Sequence, residues 1–552
     1  NAAILYRKQN IRFVCVQDKG FTQENYIHER IKIYNKEGYD YATKKIKLYD
    51  GSTATEEKIS GLKAYTYTLE NGKIVETKLK SNGVFEEQTN KYWKSAKFTM
   101  PNIKDNCIIE YKYTIKSELL AIDDVPFQET IPINKLDFKV ATPEYFRYSS
   151  MLNTKSAYAP KVESSYEYEN VKFAYRQKDK AIARGVTTEL VEFEKNVKFN
   201  IIQNKSDNIP ALKDEVYVDN LNNYQAKLIM ELESIKYPDS PAENYTTTWE
   251  EVAKNIYRND DFGTQLKKTN YFKKDLETVL AGITNPAEKA ATIFNYVKTK
   301  VKWNNLIGYY SDLGVSKAYK QGSGSTADIN LMLIAMLRYS GLEANPVLVS
   351  TRSNGIPLTP TKSGFNYVIA AVEFNEGMAL LDASSKYSTP NILPELILNW
   401  QGRLIKKDGN SEWISLKPSQ NSKETIFLNA TINEDFSITG KVRAMLSNNS
   451  ALSSREDFNG VNEETQIRAI EKEKGDIEIT NIEVKSENDL SKPILLSYQY
   501  NLENGVEEIG DKLYLSAMLF LTPQENVFKQ ETRNYPIDFV NPTTYKYVIN
   551  IK

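Results

Sequence analysis

The start of a predicted helix carries the side chains of this chain that are best placed to do chemistry. Residues 322–341 read GSGSTADINLMLIAMLRYSG and put Ser325 and Thr326 where a helix begins. A helix N-terminus lowers the pKa of a thiol placed there and favours the reactive thiolate. These two side chains are hydroxyls instead, and a hydroxyl nucleophile needs a positioned base, usually histidine or lysine. The stretch therefore has the setting of a catalytic site without its usual residues.

Cysteine and histidine are scarce in the rest of the chain. The cysteines are Cys15 and Cys107, and the single histidine is His28. No cysteine–histidine pair can arise in the helical part, and a structural zinc site of the usual kind is excluded. We interpret both cysteines as buried, unpaired thiols, which could form a disulfide only if their Cα atoms lay within about 7 Å. We interpret His28 as an exposed or partly packed strand residue and predict no metal and no cofactor.

The helix itself offers a purely structural reading of the same hydroxyls. Ser325 and Asp328 have the spacing of a capping box, and Gly341 suits the C′ position, so the helix is predicted over 326–340. Its residues are apolar on nearly every side, which indicates a helix buried at the centre of a domain. In this reading Ser325 and Thr326 satisfy the free N–H groups of the first turn.

Two stretches of alternating apolar and polar residues flank the helical part. The first covers about 210 residues, includes CIIEYKYTI, and places Asn71-Gly72 between two strands as a type I′ hairpin turn. It predicts a large antiparallel β-sandwich. The second begins near residue 420, with ETIFLNATI, KLYLSAMLFLT and YKYVINIK, a further hairpin at Asn504-Gly505 and a helix near 461–473. It predicts a mostly β domain.

Helices and then strands fill the middle of the chain. WEEVAKNIYR and NPAEKAATIFNYVKTKVKW have helical spacing, with Pro286 suited to a first turn. Strand-like runs follow at 345–351, 365–374 and 378–384, which together with the helices is an α+β arrangement. The predicted fold is multidomain α+β, divided at 1–215, 216–415 and 416–552.

Composition limits the class of protein. Lys plus Arg (71) balances Asp plus Glu (72), so nothing indicates a nucleic-acid binder, which would carry a basic excess. No apolar run approaches the roughly 20 residues of a membrane helix. The chain begins at Asn1 and not at methionine, from which we expect that a leader has been removed.

The central stretch resembles the transglutaminase-like (papain-like) domain of a bacterial envelope family. In that family the domain lies between an N-terminal β domain of unknown function and a C-terminal β domain. The resemblance rests on residues 322–341 and on further segments along the chain, namely VKWN with Trp303, FNYVIAAVEF, LLDAS, ERIKIYNKEGYDYA, AYTYTLENGKIVETKL, KFTMPNIKDNCIIEYKYTI and RNYPIDFV.

The resemblance implies where a catalytic triad would lie. The cysteine position falls on Thr326, or on Ser325 if the register slips by one, with Asp328 matching the family's acidic residue. The histidine position falls on Tyr367, or on Asn366. The aspartate position is Asp382, which is retained. Two of the three catalytic positions would therefore be replaced.

These residues predict a non-catalytic protein that binds or scaffolds in the bacterial periplasm or at the outer membrane, with another envelope protein as partner. Two alternatives stay open. One is a transglutaminase-like or protease-like hydrolase that uses Thr326 or Ser325 with an unrecognised base. The other is a polysaccharide-binding module, which would need an exposed cleft lined with tyrosine and tryptophan rather than buried rings.

Overall fold

The chain folds into two compact units in this computed structural model, which describes all residues except 52–54, 91, 179–187, 239, 246–247, 476 and 524. The first unit consists of 1–215, 220–248 and 358–361, and the second of 216–219, 249–357 and 362–552. The second unit thus holds the predicted C-terminal domain and most of the predicted central domain, whose residues 220–248 and 358–361 belong to the first unit. The division of the chain at 215 and 415 stays a prediction.

The first unit is built from strands. Their bounds are β1 Ala2–Val16, β2 Gly20–Ile33, β3 Thr43–Tyr49, β4 Lys58–Glu70, β5 Lys73–Lys78, β6 Val84–Asn90, β7 Trp93–Thr99, β8 Ile108–Ser117, β9 Val125–Pro126, β10 Ile133–Pro143, β11 Phe146–Leu152, β12 Glu163–Lys178, β13 Thr188–Ile209, β14 Lys227–Ile235 and β15 Glu243–Asn244. They form an eight-stranded sheet in the order β12-β13-β10-β1-β2-β8-β4-β5 and smaller sheets in the orders β3-β7-β6 and β11-β14-β15.

One apolar core joins these sheets. It combines Ile109 and Phe138 of the large sheet with Phe98 and Phe146 of the smaller sheets. Alternation along each strand sends every second side chain into this core, as expected for a sheet with one solvated face. At the predicted hairpin, Asn71 and Gly72 have φ of 51° and 76° between the paired residues Glu70 and Lys73, which confirms the type I′ turn.

The pairing of β1 differs from the antiparallel sheet predicted for this region. β1 runs antiparallel to β2 but parallel to β10, with Ile4 opposite Ile133. A parallel pair needs a long crossover connection, so residues adjacent in sequence carry no signal of it.

A buried ion pair crosses the large sheet. Arg7 on β1 lies opposite Glu29 on β2, which in turn lies opposite Tyr111 on β8. Arg7 Nε is 2.7 Å from Glu29 Oε1 and Arg7 Nη1 is 2.7 Å from Glu129 Oε1, while the Tyr111 hydroxyl donates to Glu29. Burial opposes ionisation of Glu29, but Arg7 and Lys44 outweigh it and lower its pKa to about 2.

The thiols and the single histidine also belong to the first unit. Cys15 and Cys107 are free, the former half-buried and the latter buried. His28 lies on β2 with Nε2 2.6 Å from Glu110 Oε1. None of these residues contributes to the second unit.

The second unit contains the helices. The bounds of its elements are α1 Trp249–Arg258, α2 Lys273–Val279, α3 Pro286–Lys300, β16 Lys302–Trp303, α4 Val315–Gln321, β17 Ser323–Gly324, α5 Thr326–Tyr339, β18 Glu343–Val349, β19 Tyr367–Phe374, β20 Gly377–Leu381, β21 Gln401–Ile405, β22 Ser411–Ser415, β23 Ser422–Ile432, β24 Ile438–Ser447, α6 Asn448–Phe458, α7 Glu463–Lys474, β25 Ile477–Lys485, β26 Ile494–Leu502, β27 Val506–Ile509, β28 Lys512–Leu515 and β29 Thr543–Ile551. No helix in the described part of the chain is long and apolar enough to cross a membrane.

Helix α5 lies at the centre of the α+β part of this unit. It packs on a five-stranded sheet in the order β20-β19-β18-β21-β22. The residues of α5 from Thr326 to Leu337 are all buried, as the apolar pattern predicts, and Ser325 and Asp328 form the predicted capping box. A second apolar cluster, with Val347 and Ile369, covers the other face of the sheet. The sheet is therefore buried on both faces.

A second five-stranded sheet follows, in the order β25-β26-β24-β23-β29. Helix α7, Glu463–Lys474, confirms the helix predicted near 461–473. The hairpin predicted at Asn504-Gly505 is wrong, because β26 pairs with β24 and β25 while β27 pairs with β28. A Cβ on Gly505 would lie 2.4 Å from Ile438 Cδ1, so this glycine permits close packing.

Candidate functional site

The hydroxyl at the start of α5 is engaged by backbone groups. Thr326 is fully buried. Its Oγ1 donates to Gly308 O at 2.9 Å and accepts from Gly308 N at 3.0 Å. A threonine hydroxyl has a single proton to donate, so the proton that a base would have to remove is already committed to a carbonyl. Thr326 therefore fixes the loop at Gly308 to the helix.

The neighbouring residues at the helix start bind one another. Ser325 Oγ accepts from Asp328 N at 3.2 Å and donates to Asp328 Oδ2 at 2.9 Å. The Asp328 carboxylate also accepts from Ser325 N at 3.0 Å and from the hydroxyl of Ser311. Both residues are buried. Ser325 thus caps the first turn of α5, as the capping interpretation predicts. The same interpretation is wrong for Thr326, whose hydroxyl bonds the Gly308 backbone and no N–H group of the helix.

Tyr367 and Asp382 come together, as the implied triad requires of its histidine and aspartate positions. Tyr367 begins β19 and Asp382 follows β20, and these strands are neighbours in the sheet. The Tyr367 hydroxyl lies 2.9 Å from Asp382 Oδ2 and 2.8 Å from Ser384 Oγ. Burial, followed by the Asp382 charge, raises the pKa of Tyr367 well above 10, so the phenol stays protonated.

Further hydrogen bonds complete the surroundings of Asp382. Its Oδ1 accepts from Asn330 Nδ2 at 2.9 Å, from Ser384 N at 3.0 Å and from Ser384 Oγ at 2.5 Å. Asn330 projects from the second turn of α5 and also donates to Val368 O at 3.0 Å. Asn330 and Ser384 are absent from the sequence-based prediction. The signal for Asn330 is an amide within an otherwise apolar helix, since a buried amide must be hydrogen-bonded.

Two residues named with the triad lie apart from this network. Asn366 accepts from Thr351 N at 2.8 Å and donates to Thr351 Oγ1 at 2.8 Å, which holds the loop after β18. Trp303 lies on β16, and its Nε1 donates to Leu306 O at 2.9 Å. The structure thus gives Asn366 a local structural contact and leaves the Trp303 ring at the surface.

A cleft with a volume of about 1570 Å³ opens beside Tyr367. Lys298 of α3 and Glu456 of α6 both line it. Burial lowers the pKa of Lys298 to about 8, and its Nζ donates to Ser388 O at 2.5 Å. Desolvation, with the charges of Asp457, Glu395 and Asp382, raises the pKa of Glu456 to about 7. No sequence motif pointed to these two residues, because they come from distant helices.

The raised pKa of Glu456 makes stability depend on pH. A carboxyl whose folded-state pKa exceeds its unfolded value stabilises the fold fully below the unfolded value and loses that contribution as pH rises toward the folded value. We therefore expect the stability of the native chain relative to Glu456→Gln to fall between about pH 4.5 and 7 and to be constant on either side. Urea unfolding of both proteins across this range measures the difference.

The matched control is Glu464→Gln on α7, whose ion pair with Arg468 is exposed. A surface pair of this kind contributes little, so we expect no comparable slope. If the stability of the native chain relative to Glu456→Gln does not change with pH, or rises as pH rises, the raised pKa of Glu456 is contradicted.

Within the described residues, no group of three or more His, Cys, Asp or Glu side chains could hold a metal ion.

Comparisons with known proteins agree with this architecture. Residues 20–179 match the Domain of Unknown Function DUF3857, and residues 274–379 match the transglutaminase-like superfamily. None of the curated proteins matches the chain. A crystal structure of a "putative protease" from Parabacteroides distasonis superposes with a TM-score of 0.50 at 12% identity and covers 91% of this chain and 93% of that one. At this identity the likeness shows the fold alone.

A second solved structure is less similar. It is a "putative cysteine protease" from Cytophaga hutchinsonii, with a TM-score of 0.18 and 13% identity, covering 47% of this chain and 74% of that one. The family matches lie where the structure places the β-rich first unit and the helices that precede and include α5. The chain therefore carries a DUF3857 domain followed by a transglutaminase-like domain.

Proposed function

We propose that this chain is a non-catalytic transglutaminase-like protein, which serves as a binding or scaffolding component of the bacterial cell envelope. The observation that carries the proposal is that the Thr326 hydroxyl donates to Gly308 O and accepts from Gly308 N. In the proposed alignment Thr326 and Tyr367 replace the catalytic cysteine and histidine, while Asp382 is kept.

The surroundings of the replaced positions favour this proposal over a hydrolase. Residues 108–552 contain neither cysteine nor histidine. Tyr367 cannot accept a proton near neutral pH, because its pKa is raised well above 10 and its hydroxyl already lies against Asp382. Ser325 binds Asp328, which is its capping partner. Both candidate hydroxyls therefore have structural partners in place of a base.

We expect the purified chain to hydrolyse peptide amides, and to exchange a peptide glutamine amide with a primary amine, no faster than buffer alone. Mass spectrometry of the peptides measures both reactions. Thr326→Ala is the matched variant, and the expected rates are the same for the native chain and the variant. Turnover that is present in the native chain and lost in a folded Thr326→Ala variant would refute the proposal.

The envelope location is a separate part of the proposal, with its own measurement. The resemblance of the whole chain to an envelope family supports it, as does the low use of cysteine. We expect cell fractionation to place the chain with the periplasm or the outer membrane, together with a partner protein recovered near one-to-one. Recovery in the cytoplasm would overturn the location, and recovery without any partner would overturn the scaffolding role.

A further inference from the structure

The cleft beside Tyr367 is formed by segments that lie far apart in sequence. One wall consists of the end of α3, β16 and the loop after β20, and the other consists of α6 and the loop before β26. Its volume of about 1570 Å³ exceeds the roughly 300–1,000 Å³ of sites that enclose one small molecule. The cleft therefore has room for a ligand larger than one small molecule.

Two aromatic side chains whose polar groups are hydrogen-bonded line this cleft. Trp303 is 39% exposed, and its Nε1 donates to Leu306 O at 2.9 Å, which restrains the indole. Tyr387 is half-buried, and its hydroxyl accepts from Lys386 Nζ at 2.7 Å. Exposed aromatic rings with one satisfied polar end offer flat apolar area to a ligand that also carries polar groups. This arrangement is the one that the polysaccharide-binding alternative requires.

Hydrogen-bond donors and acceptors both line the cleft. Lys298 and Lys302 supply ammonium donors, while Glu395, Glu456 and Asp457 supply carboxylates. A strongly anionic ligand would meet the carboxylates, and a strongly cationic ligand would meet the ammonium groups. Hydroxyl groups donate and accept at once and carry no charge, so a polyhydroxylated ligand can bind to both kinds of side chain.

The wall contributed by the loop before β26 is preformed. The guanidinium of Arg455 on α6 donates to four backbone carbonyls of this loop, at 3.2 Å to Glu487 O, 3.1 Å to Ser486 O, 3.1 Å to Asp489 O and 2.8 Å to Lys492 O. Arg455 is buried, although its neighbours Glu456 and Asp457 are exposed to the cleft. Because this wall is already ordered, little conformational entropy is lost when a ligand binds.

We propose that this cleft binds a neutral saccharide strand, with a sugar ring stacked on Trp303 and hydroxyl groups hydrogen-bonded by Glu456 and Lys298. The proposal rests on the non-catalytic binding function proposed above and names its ligand class. A peptide strand is the competing occupant, and its backbone would use the same donors and acceptors. Stacking on a single restrained indole favours the saccharide.

Isothermal titration calorimetry of the full chain tests the proposal. The probes are neutral hexasaccharides of glucose, xylose and N-acetylglucosamine, and a hexapeptide with no net charge. We expect at least one hexasaccharide to bind, Trp303→Ala to weaken that binding at least tenfold, and Glu456→Gln to weaken it severalfold. Trp400→Ala is the matched control, because Trp400 is 40% exposed and does not line the cleft.

Trp303→Phe guards against a folding defect, since it keeps an aromatic face and should retain most of the affinity. Binding of none of the hexasaccharides, binding of the peptide alone, or equal binding by Trp303→Ala would overturn the saccharide assignment. The hexasaccharide recovered after the titration also distinguishes failure of the saccharide proposal from failure of the non-catalytic function. Cleaved hexasaccharide would refute the non-catalytic function while leaving the saccharide site in place.

Discussion

Replacing Arg7 with methionine is expected to lower the free energy of unfolding of the first unit by about 3–5 kcal/mol. Arg7 and Glu29 are both buried, and Arg7 also contacts Glu129. Methionine fills a similar volume but leaves the Glu29 carboxylate buried with its principal partner removed. Urea unfolding of the native chain and the variant, followed by circular dichroism, measures the loss.

The same strands provide a matched control. Arg12 on β1 pairs with Glu24 on β2 at 2.8 Å, but Arg12 is 58% exposed. Arg12→Met should therefore cost only about 0–1 kcal/mol. The double variant Arg7→Met, Glu29→Leu should recover much of the stability, because it removes both charges. If Arg7→Met proves no more destabilising than Arg12→Met, the ion pair does not support the sheet.

Replacing Asp382 with alanine is expected to cost the second unit about 3–5 kcal/mol, because several buried donors lose their acceptor at roughly 1–3 kcal/mol each. The donors are Asn330, Tyr367 and Ser384. Denaturant unfolding monitored by tryptophan fluorescence measures the effect, because Trp303 lies in this unit and its fluorescence changes when the unit unfolds.

The chain contains an exposed copy of the local arrangement at Asp382. Asp435 accepts from Ser437 N at 3.1 Å and from Ser437 Oγ at 2.6 Å, the same two contacts that Asp382 makes with Ser384. Because Asp435 lies in an exposed turn, water replaces its contacts, and Asp435→Ala should leave stability nearly unchanged. Equal effects at the two positions would show that the links to Asn330 and Tyr367 contribute nothing.

The parts of the fold that depend on neighbouring residues could be predicted from the sequence. The capping box at Ser325 and Asp328 and the turn at Asn71-Gly72 depend on residues within one turn of each other, and both are confirmed. The turn predicted at Asn504-Gly505 fails because the same dipeptide also suits a glycine packed against Ile438. A local pattern does not distinguish these two uses of glycine.

The candidate site could be predicted only in part. The contact between Tyr367 and Asp382 follows from a resemblance that places both on neighbouring strands. Lys298, Glu456 and the Arg455-bound loop could not be found, because long stretches of chain separate them and each looks like an ordinary surface residue on its own helix. Tertiary packing alone buries Lys298 and Glu456 and places other charged groups near each, which shifts their pKa values.

Two parallel pairings between strands far apart in sequence bear on the order in which the chain assembles. β1 pairs with β10, and β23 pairs with β29, each across on the order of a hundred residues of intervening chain. Closing such a loop costs about 4 kcal/mol of chain entropy, far more than a two-residue hairpin. Hairpins such as β1–β2 and β4–β5 can therefore form early, whereas the β1–β10 and β23–β29 pairs form late. Until these pairs form, one edge of β10 and one edge of β23 stay unpaired. Each unit is therefore prone to aggregate during folding.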